Sequence, residues 1–282
     1  MEKIICNGVP VHYRFRPAKV KSAGAPTLIF LHNAGTDHSI WSPVVDMLSD
    51  TYNLAQLDWP GYGNLRSDPK GHTLGYYADI LSLFIAQHDL RSVVLVGNCL
   101  GSGASLEYCV RQKGQGIQAM ILYNVLVPRT LGMVGRFFLY WSQSGLRDLY
   151  RKLRENLIVP RPCARLATRY QVKNMDCIPD PAKEHLTELY ADPSNIRNLG
   201  ALVESLSTSK HLDTLRMPAY FPPTMIIWGD KNRVLPLSCG SRFVRDFKPT
   251  EFHVESGGHL LMLEQPRICA GHIERFIRRT YA

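Results

Sequence analysis

The chain has 282 residues, 45% of them hydrophobic, and a formal net charge of +9, so it can bury a large core as one domain with an insertion. No apolar run approaches the roughly 18 residues of a membrane span, and the first residues lack the apolar stretch of a signal peptide. The seven cysteines are scattered and form no C-x-x-C pair, which argues against a disulfide framework or a zinc site. We therefore expect a cytoplasmic protein with reduced thiols.

The positive charge is concentrated in one segment. Residues 129–173 contain ten Arg and Lys against Asp148 and Glu155, so this segment carries +8 of the net charge. One interpretation is a solvated helical face, and the other is a docking surface for an anionic partner. We expect no nucleic-acid partner, because no nucleic-acid-binding motif interrupts the sequence.

In chain order, apolar runs and turn residues predict strands that alternate with helices. Asn7-Gly8 predicts a tight hairpin turn. The pattern predicts a doubly wound, mainly parallel sheet of eight strands in an α/β fold. The predicted segments are a hairpin over 4–9, strands at 27–31, 54–58, 92–96, 119–123, 225–228 and 251–254, and helices at 76–90 and 102–111.

A long stretch without strand alternation interrupts this order after the sixth strand. We interpret residues 127–221 as an inserted helical lid, since the stretch is too long for an ordinary loop. The core would then be residues 1–126 and 222–282. Phe137, Phe138 and Trp141 near the start of the lid are candidates for an acyl pocket, although such side chains can also only pack the lid onto the core.

The candidate nucleophile is Cys99. A predicted buried strand leads into Gly97-Asn98-Cys99-Leu100-Gly101, and a predicted helix follows. A lone cysteine in an apolar stretch is usually part of the core. A strand, a tight G-x-nucleophile-x-G turn and a helix instead form a nucleophile elbow, where small flanking residues permit a strained backbone.

Further motifs extend this similarity over nearly the whole chain outside the lid. The chain resembles the lid-bearing α/β-hydrolase superfamily, which implies the α/β-hydrolase fold. Its elbow is similar to that of dienelactone hydrolases, which also use cysteine, whereas the long lid and the Gly-Tyr-Gly loop differ from them. The matching motifs are Leu31-His32-Asn33-Ala34-Gly35 followed by Trp41, Asp58-Trp59-Pro60-Gly61-Tyr62-Gly63, the elbow, Trp228-Gly229-Asp230-Lys231-Asn232 and Gly257-Gly258-His259.

The resemblance implies that His259 is the general base. The family places its carboxylate four residues after the tryptophan, where this chain has Asn232, and Asp230 is the alternative. A thiol can lose its proton to histidine before attack, giving a thiolate–imidazolium pair. An amide that only orients the ring then suffices, as in papain-like Cys-His-Asn enzymes. Cysteine at 99 and asparagine at 232 are therefore one coherent change.

Two backbone N–H groups are expected to form the oxyanion hole. One belongs to Leu100 at the start of a helix, whose dipole adds positive potential. By resemblance, the other belongs to Ala34. Asn33 stands where the family usually has glycine, and its side chain either adds a donor or only tolerates a left-handed backbone.

The leading functional hypothesis is acyl transfer or thioesterase-like chemistry through an acyl-thioester on Cys99. An acyl carrier protein or coenzyme A is the anionic donor that the basic lid suggests. The alternatives are a cysteine-dependent ester or lactone hydrolase and, from another class, a ligand-binding pseudoenzyme. Because no metal cluster, phosphate loop or dinucleotide motif is present, we expect no tightly bound cofactor.

Overall fold

One mixed sheet organises the molecule. The computed structural model describes residues 1–20, 26–48, 50–63 and 71–281. Within them, the strands are β1 Glu2–Cys6, β2 Val9–Arg16, β3 Thr27–Leu31, β4 Asn53–Asp58, β5 Val93–Asn98, β6 Ile117–Tyr123, β7 Thr224–Gly229 and β8 Glu251–Glu255. The spatial order is β1-β2-β4-β3-β5-β6-β7-β8. The β1–β2 and β2–β4 pairs are antiparallel, and the other five pairs are parallel. This is the predicted α/β-hydrolase fold.

The strand sequences explain this sheet. Every residue of β3, β5 and β7 is buried, as expected for central parallel strands covered on both faces. The hairpin turns at Asn7 and Gly8, which both have positive φ, the conformation that a tight turn between twisted strands requires.

Helices cover both faces of the sheet. They are α1 Ser42–Val45, α2 Leu74–Gln87, α3 Leu100–Gln112, α4 Met133–Gln143, α5 Arg147–Glu155, α6 Arg161–Gln171, α7 Asp180–Ala191, α8 Pro193–Ser205, α9 Leu237–Phe247, α10 Leu261–Glu264 and α11 Pro266–Tyr281. Helix α2 begins two residues earlier than predicted, because the Thr73 hydroxyl caps it by accepting the N–H of Tyr76 at 3.0 Å. None of the helices in the described ranges has the length and apolarity to cross a bilayer.

Between β6 and β7 the described chain forms helices and no strand. This β6–β7 segment contains α4 to α8, with short 3-10 helices at Pro128–Thr130, Met175–Cys177 and Leu206–Thr214. Two amides of α8 attach it to core loops: Asn195 donates to the carbonyl of Gly35 at 2.9 Å, and Asn198 donates to that of Gly61 at 2.6 Å. The segment is thus fixed next to the loops that follow β3 and β4.

Candidate active site

The turn after β5 holds Cys99 in a strained conformation. Cys99 has φ +50° and ψ −105°, which is costly for a residue with a side chain and is typical of functional sites. Glycine is required on both sides. A Cβ on Gly97 would lie 2.5 Å from the carbonyl carbon of Gly101, and one on Gly101 would lie 2.3 Å from the carbonyl oxygen of Leu31. The strand–turn–helix therefore has the geometry of a nucleophile elbow.

Two backbone amides face the Cys99 sulfur. They are the N–H groups of Leu100 and Ala34, the pair that the sequence suggests as an oxyanion hole. Burial raises the pKa of the Cys99 thiol to about 12, while the two amides act in the opposite direction. The resting site therefore favours a neutral thiol.

The second buried group of the site is His259, whose ring meets Asn232. His259 Nδ1 lies 3.2 Å from Oδ1 and 3.1 Å from Nδ2 of the Asn232 amide. The same Oδ1 accepts the N–H groups of Val234 and Leu235 at 3.0 and 2.9 Å. If His259 donates its Nδ1–H to this oxygen, Nε2 is left unprotonated, which is the tautomer that a general base needs.

Burial also lowers the pKa of His259, to about 3. The thiolate–imidazolium pair that we expect from the sequence is therefore disfavoured at rest, because burial penalises both charged forms. In the resting site a neutral imidazole and a neutral thiol share one cavity.

Asp230, the alternative partner of the histidine, points elsewhere. Its carboxylate accepts the N–H of Gly257 at 3.0 Å and lies 3.3 Å from the Lys173 ammonium, partly exposed. The structure thus brings Asn232, and not Asp230, against the ring of His259.

An amide network that the sequence analysis missed fixes the backbone of His259. Its carbonyl accepts from Nδ2 of Asn98 at 3.2 Å and of Asn124 at 3.1 Å. Asn124 also donates to Oδ1 of Asn98 and accepts the N–H of Gly229, both at 3.1 Å. The His259 N–H donates to the carbonyl of Gln171 at the end of α6. The sequence offered one signal for this network: Asn98 ends the apolar strand β5, and Asn124 directly follows the apolar strand β6.

Of the two roles expected for Asn33, the left-handed backbone is absent. Its Nδ2 donates to the carbonyl of Ala34 at 3.0 Å, and its Oδ1 accepts the Thr36 hydroxyl at 2.8 Å. The amide also contacts the Tyr190 side chain, which lies near Cys99. Asn33 is also absent from the non-glycine residues of positive φ in the described ranges. The side chain stabilises the loop that carries Ala34.

Tyr190 of α7 is a second residue that sequence reasoning missed. Its buried ring lies near the Cys99 thiol and the Asn33 side chain. A Cβ on Gly35, which has φ +87°, would lie 2.9 Å from the ring. Within the described part of the chain the Tyr190 hydroxyl forms no hydrogen bond of ordinary geometry. The β6–β7 segment thereby packs directly on the loop after β3.

A cavity of about 700 Å³ opens onto Cys99 and His259. Most of its wall is apolar and comes from the β6–β7 segment, including Phe138 and Trp141. Phe137, the third candidate for this pocket, is not in the wall. It is 58% exposed and packs its ring against Phe138 and Trp141 from outside, because consecutive residues of a helix point in different directions.

A family model described as the alpha/beta hydrolase family matches residues 28–271. The chain belongs to the α/β hydrolase family. A 90-residue stretch is 31% identical to a dihydrolipoyllysine-residue acetyltransferase component of an acetoin cleaving system from Cupriavidus necator, covering 32% of this chain and only 24% of that protein.

Two longer matches have lower identity. A 2-hydroxy-6-oxononadienedioate/2-hydroxy-6-oxononatrienedioate hydrolase from Klebsiella pneumoniae is 21% identical, over 82% of this chain and 79% of the relative. Among solved structures, a thermophilic esterase from Thermogutta terrifontis superposes with a TM-score of 0.77 at 18% identity, covering 100% of this chain and 99% of the esterase. At that identity the similarity is one of fold.

Proposed function

We propose that this protein is an acyl-transferring enzyme whose nucleophile is Cys99. The observation that carries the proposal is the position of the Cys99 sulfur: it sits on a strained elbow, faces the N–H groups of Leu100 and Ala34, and opens into the same apolar cavity as His259. A structural cysteine needs neither the strained backbone nor the two amides.

In the proposed reaction, the Cys99 sulfur attacks the acyl carbonyl of an ester or thioester while its proton passes to Nε2 of His259. The carbonyl oxygen becomes an oxyanion held by the Leu100 and Ala34 amides. When the carbon–heteroatom bond to the leaving group breaks, His259 returns the proton to the departing alcohol or thiol. An acceptor that gives its proton to His259 then takes the acyl group and releases the Cys99 thiol.

The β6–β7 segment, residues 127–221, would act as the lid of this site. Its apolar wall, with Phe138 and Trp141, suits an apolar acyl chain. A donor on acyl carrier protein or coenzyme A gains less support. Glu204 already pairs with Arg151 and Arg154, so fewer free cations remain on α5. We therefore propose a small apolar acyl ester or thioester as donor.

Water is the alternative acceptor, which would make the protein a cysteine-dependent hydrolase. Similarity to the Klebsiella hydrolase and to the Thermogutta esterase favours this second candidate. A ligand-binding pseudoenzyme finds less support, because Cys99 and His259 open into the same cavity and Asn232 contacts the His259 ring.

Intact-protein mass spectrometry tests the proposal. Wild type and Cys99→Ala are mixed with a panel of acyl esters and thioesters, with and without amine or thiol acceptors. We expect an acyl adduct on wild type only, and faster loss of the adduct with an acceptor than with water. Faster loss to water alone favours the hydrolase. No adduct, no turnover and no reaction of Cys99 with alkylating agents would favour a binding protein.

A further inference from the structure

Apolar side chains are exposed on one part of the β6–β7 segment. Of the 21 large apolar side chains that are exposed in the described ranges, twelve lie between residues 133 and 170, so the exposure is concentrated there. Met133 is 85% exposed, Tyr140 77% and Ile158 76%. Exposed apolar side chains concentrated in one segment indicate an interaction site. We call the exposed face of residues 133–170 the apolar-basic surface.

This surface adjoins the mouth of the cavity. Met133, Phe137 and Tyr140 follow one another at helical spacing along the outer side of α4. Phe138, on the neighbouring side of α4, lines the cavity although it is partly exposed. Ile158, beyond α5, is both strongly exposed and part of the cavity wall. The apolar surface therefore continues from solvent into the cavity of Cys99.

Positive charge accompanies the apolar side chains. Residues 133–170 contain eight Arg and Lys against two acidic residues, a net charge of +6. Counting the pairing partners Glu184 and Glu204 as two more negative charges lowers it only to +4. In the described residues Lys152 and Arg169 are exposed, and no ion pair is formed by either. The surface keeps unpaired cations beside its apolar side chains.

We propose that the apolar-basic surface binds the interface of an anionic lipid bilayer, with the mouth of the cavity facing the lipid. A bilayer offers hydrocarbon for Met133 and Tyr140 and negative headgroups for Lys152 and Arg169, and both kinds of contact strengthen interfacial binding. A second copy of the chain would bring two positive surfaces together. An acidic carrier protein would use the charges but has no hydrocarbon layer to cover the apolar side chains.

Vesicle flotation tests this proposal without using the acyl chemistry, because the Cys99→Ala variant serves as the parent protein. We expect it to float with vesicles of phosphatidylcholine and phosphatidylglycerol in equal parts, much less with phosphatidylcholine alone, and less at high salt. Met133→Ser/Tyr140→Ser and Lys152→Glu/Arg169→Glu should each lower the partition coefficient about tenfold or more. Arg267→Glu/Ile268→Ser, on an exposed part of α11, is the matched control and should bind as the parent does.

Three results would overturn the proposal. The first is no flotation with anionic vesicles, or a control variant that loses as much binding as the two surface variants. The second is a concentration-dependent dimer that Met133→Ser/Tyr140→Ser abolishes while vesicles are not bound. The third is binding of purified acyl carrier protein, sensitive to Lys152→Glu/Arg169→Glu, without binding of vesicles.

Discussion

Replacing Asn232 by Asp should affect a serine nucleophile far more than a cysteine nucleophile. The carboxylate would lie where Oδ1 now lies, 3.2 Å from His259 Nδ1, and would keep the N–H groups of Val234 and Leu235 as donors. Opposite unit charges about 4 Å apart interact by about 4 kcal/mol at an effective dielectric constant near 20. That energy corresponds to about three pKa units, so the pKa of His259 should rise from about 3 towards about 6.

The effect on rate should depend on the nucleophile. A hydroxyl transfers its proton only if the imidazolium is strongly stabilised, and loss of the triad carboxylate costs a serine enzyme about 10⁴ in kcat. A thiol is far more acidic. We therefore expect Cys99→Ser to be nearly inactive, Cys99→Ser/Asn232→Asp to regain about 100-fold or more, and Asn232→Asp alone to change kcat/KM by less than about tenfold.

Steady-state kinetics with a chromogenic acyl ester measures kcat/KM for the wild type, the two single variants and the double variant, which together form a double-mutant cycle. Asn232→Asp should act about 100-fold or more on the serine protein and less than about tenfold on the cysteine protein, so the expected coupling is at least about tenfold, or about 1.4 kcal/mol. NMR titration of the His259 ring checks the rise in its pKa. Asp230→Asn is the matched control, since that carboxylate does not contact the ring. Equal acceleration of the cysteine and serine proteins by Asp, or an unchanged pKa of His259, would refute the reasoning.

Other features of the site give four further predictions. Because burial keeps Cys99 protonated, the rate at which iodoacetamide alkylates it should rise about tenfold per pH unit from about pH 6 to 9. A rate that is constant near neutral pH would instead indicate a thiolate–imidazolium pair. The pKa of His259 is lower in the folded protein than in the unfolded chain, so the unfolded chain binds the proton more tightly. The free energy of unfolding should therefore be constant above about pH 6.5 and fall between about pH 6.5 and about pH 3, by up to about 4–5 kcal/mol. In urea titrations, the free energy of unfolding of His259→Gln should depend less on pH than that of wild type. Glycine at position 124 can adopt the φ of +45°, but Asn124→Gly removes the amide that donates to the His259 carbonyl. We expect kcat to fall about tenfold or more with little change in KM. A lower Tm with unchanged kcat would mean that Asn124 is only structural. Tyr190→Phe removes a hydroxyl without a well-formed hydrogen bond, so Tm should stay unchanged or rise; a clear fall would reveal a partner.

The parallel strands could be predicted because burial on both faces leaves a direct trace in sequence. Thr27–Leu31 and the strand before Cys99 are continuous apolar runs, and both are central strands. Short motifs likewise located Cys99 and His259, because the glycines beside them are forced by close backbone contacts.

What could not be predicted depends on distant contacts. Helix α4 is apolar around most of its circumference, so its sequence does not say that Phe138 faces the cavity and Phe137 the solvent. In the sequence the basic residues of α5 outnumber its acidic residues. In the structure Glu204, about fifty residues away, pairs with Arg151 and Arg154. The burial that opposes a thiolate on Cys99 could not be seen in the sequence for the same reason. The thiolate argument used the chemistry of the pair, and the depth of burial appeared only in three dimensions.

An amide at position 232 suits a deeply buried site. Beside a neutral imidazole, a carboxylate there would be an uncompensated buried charge in the resting enzyme, and such charges are costly. Asn232 avoids that cost, because its amide meets the His259 ring and accepts the Val234 and Leu235 N–H groups without carrying charge. In the proposed reaction, the positive charge that forms on the imidazole during attack must then be balanced from the other side. The oxyanion beside the Leu100 and Ala34 amides supplies that balance. A nucleophile that releases its proton easily is the remaining requirement, and cysteine meets it where serine would not. We therefore propose that the electrostatics of residue 232 determine which nucleophile residue 99 can be, which is why the two positions should be tested together.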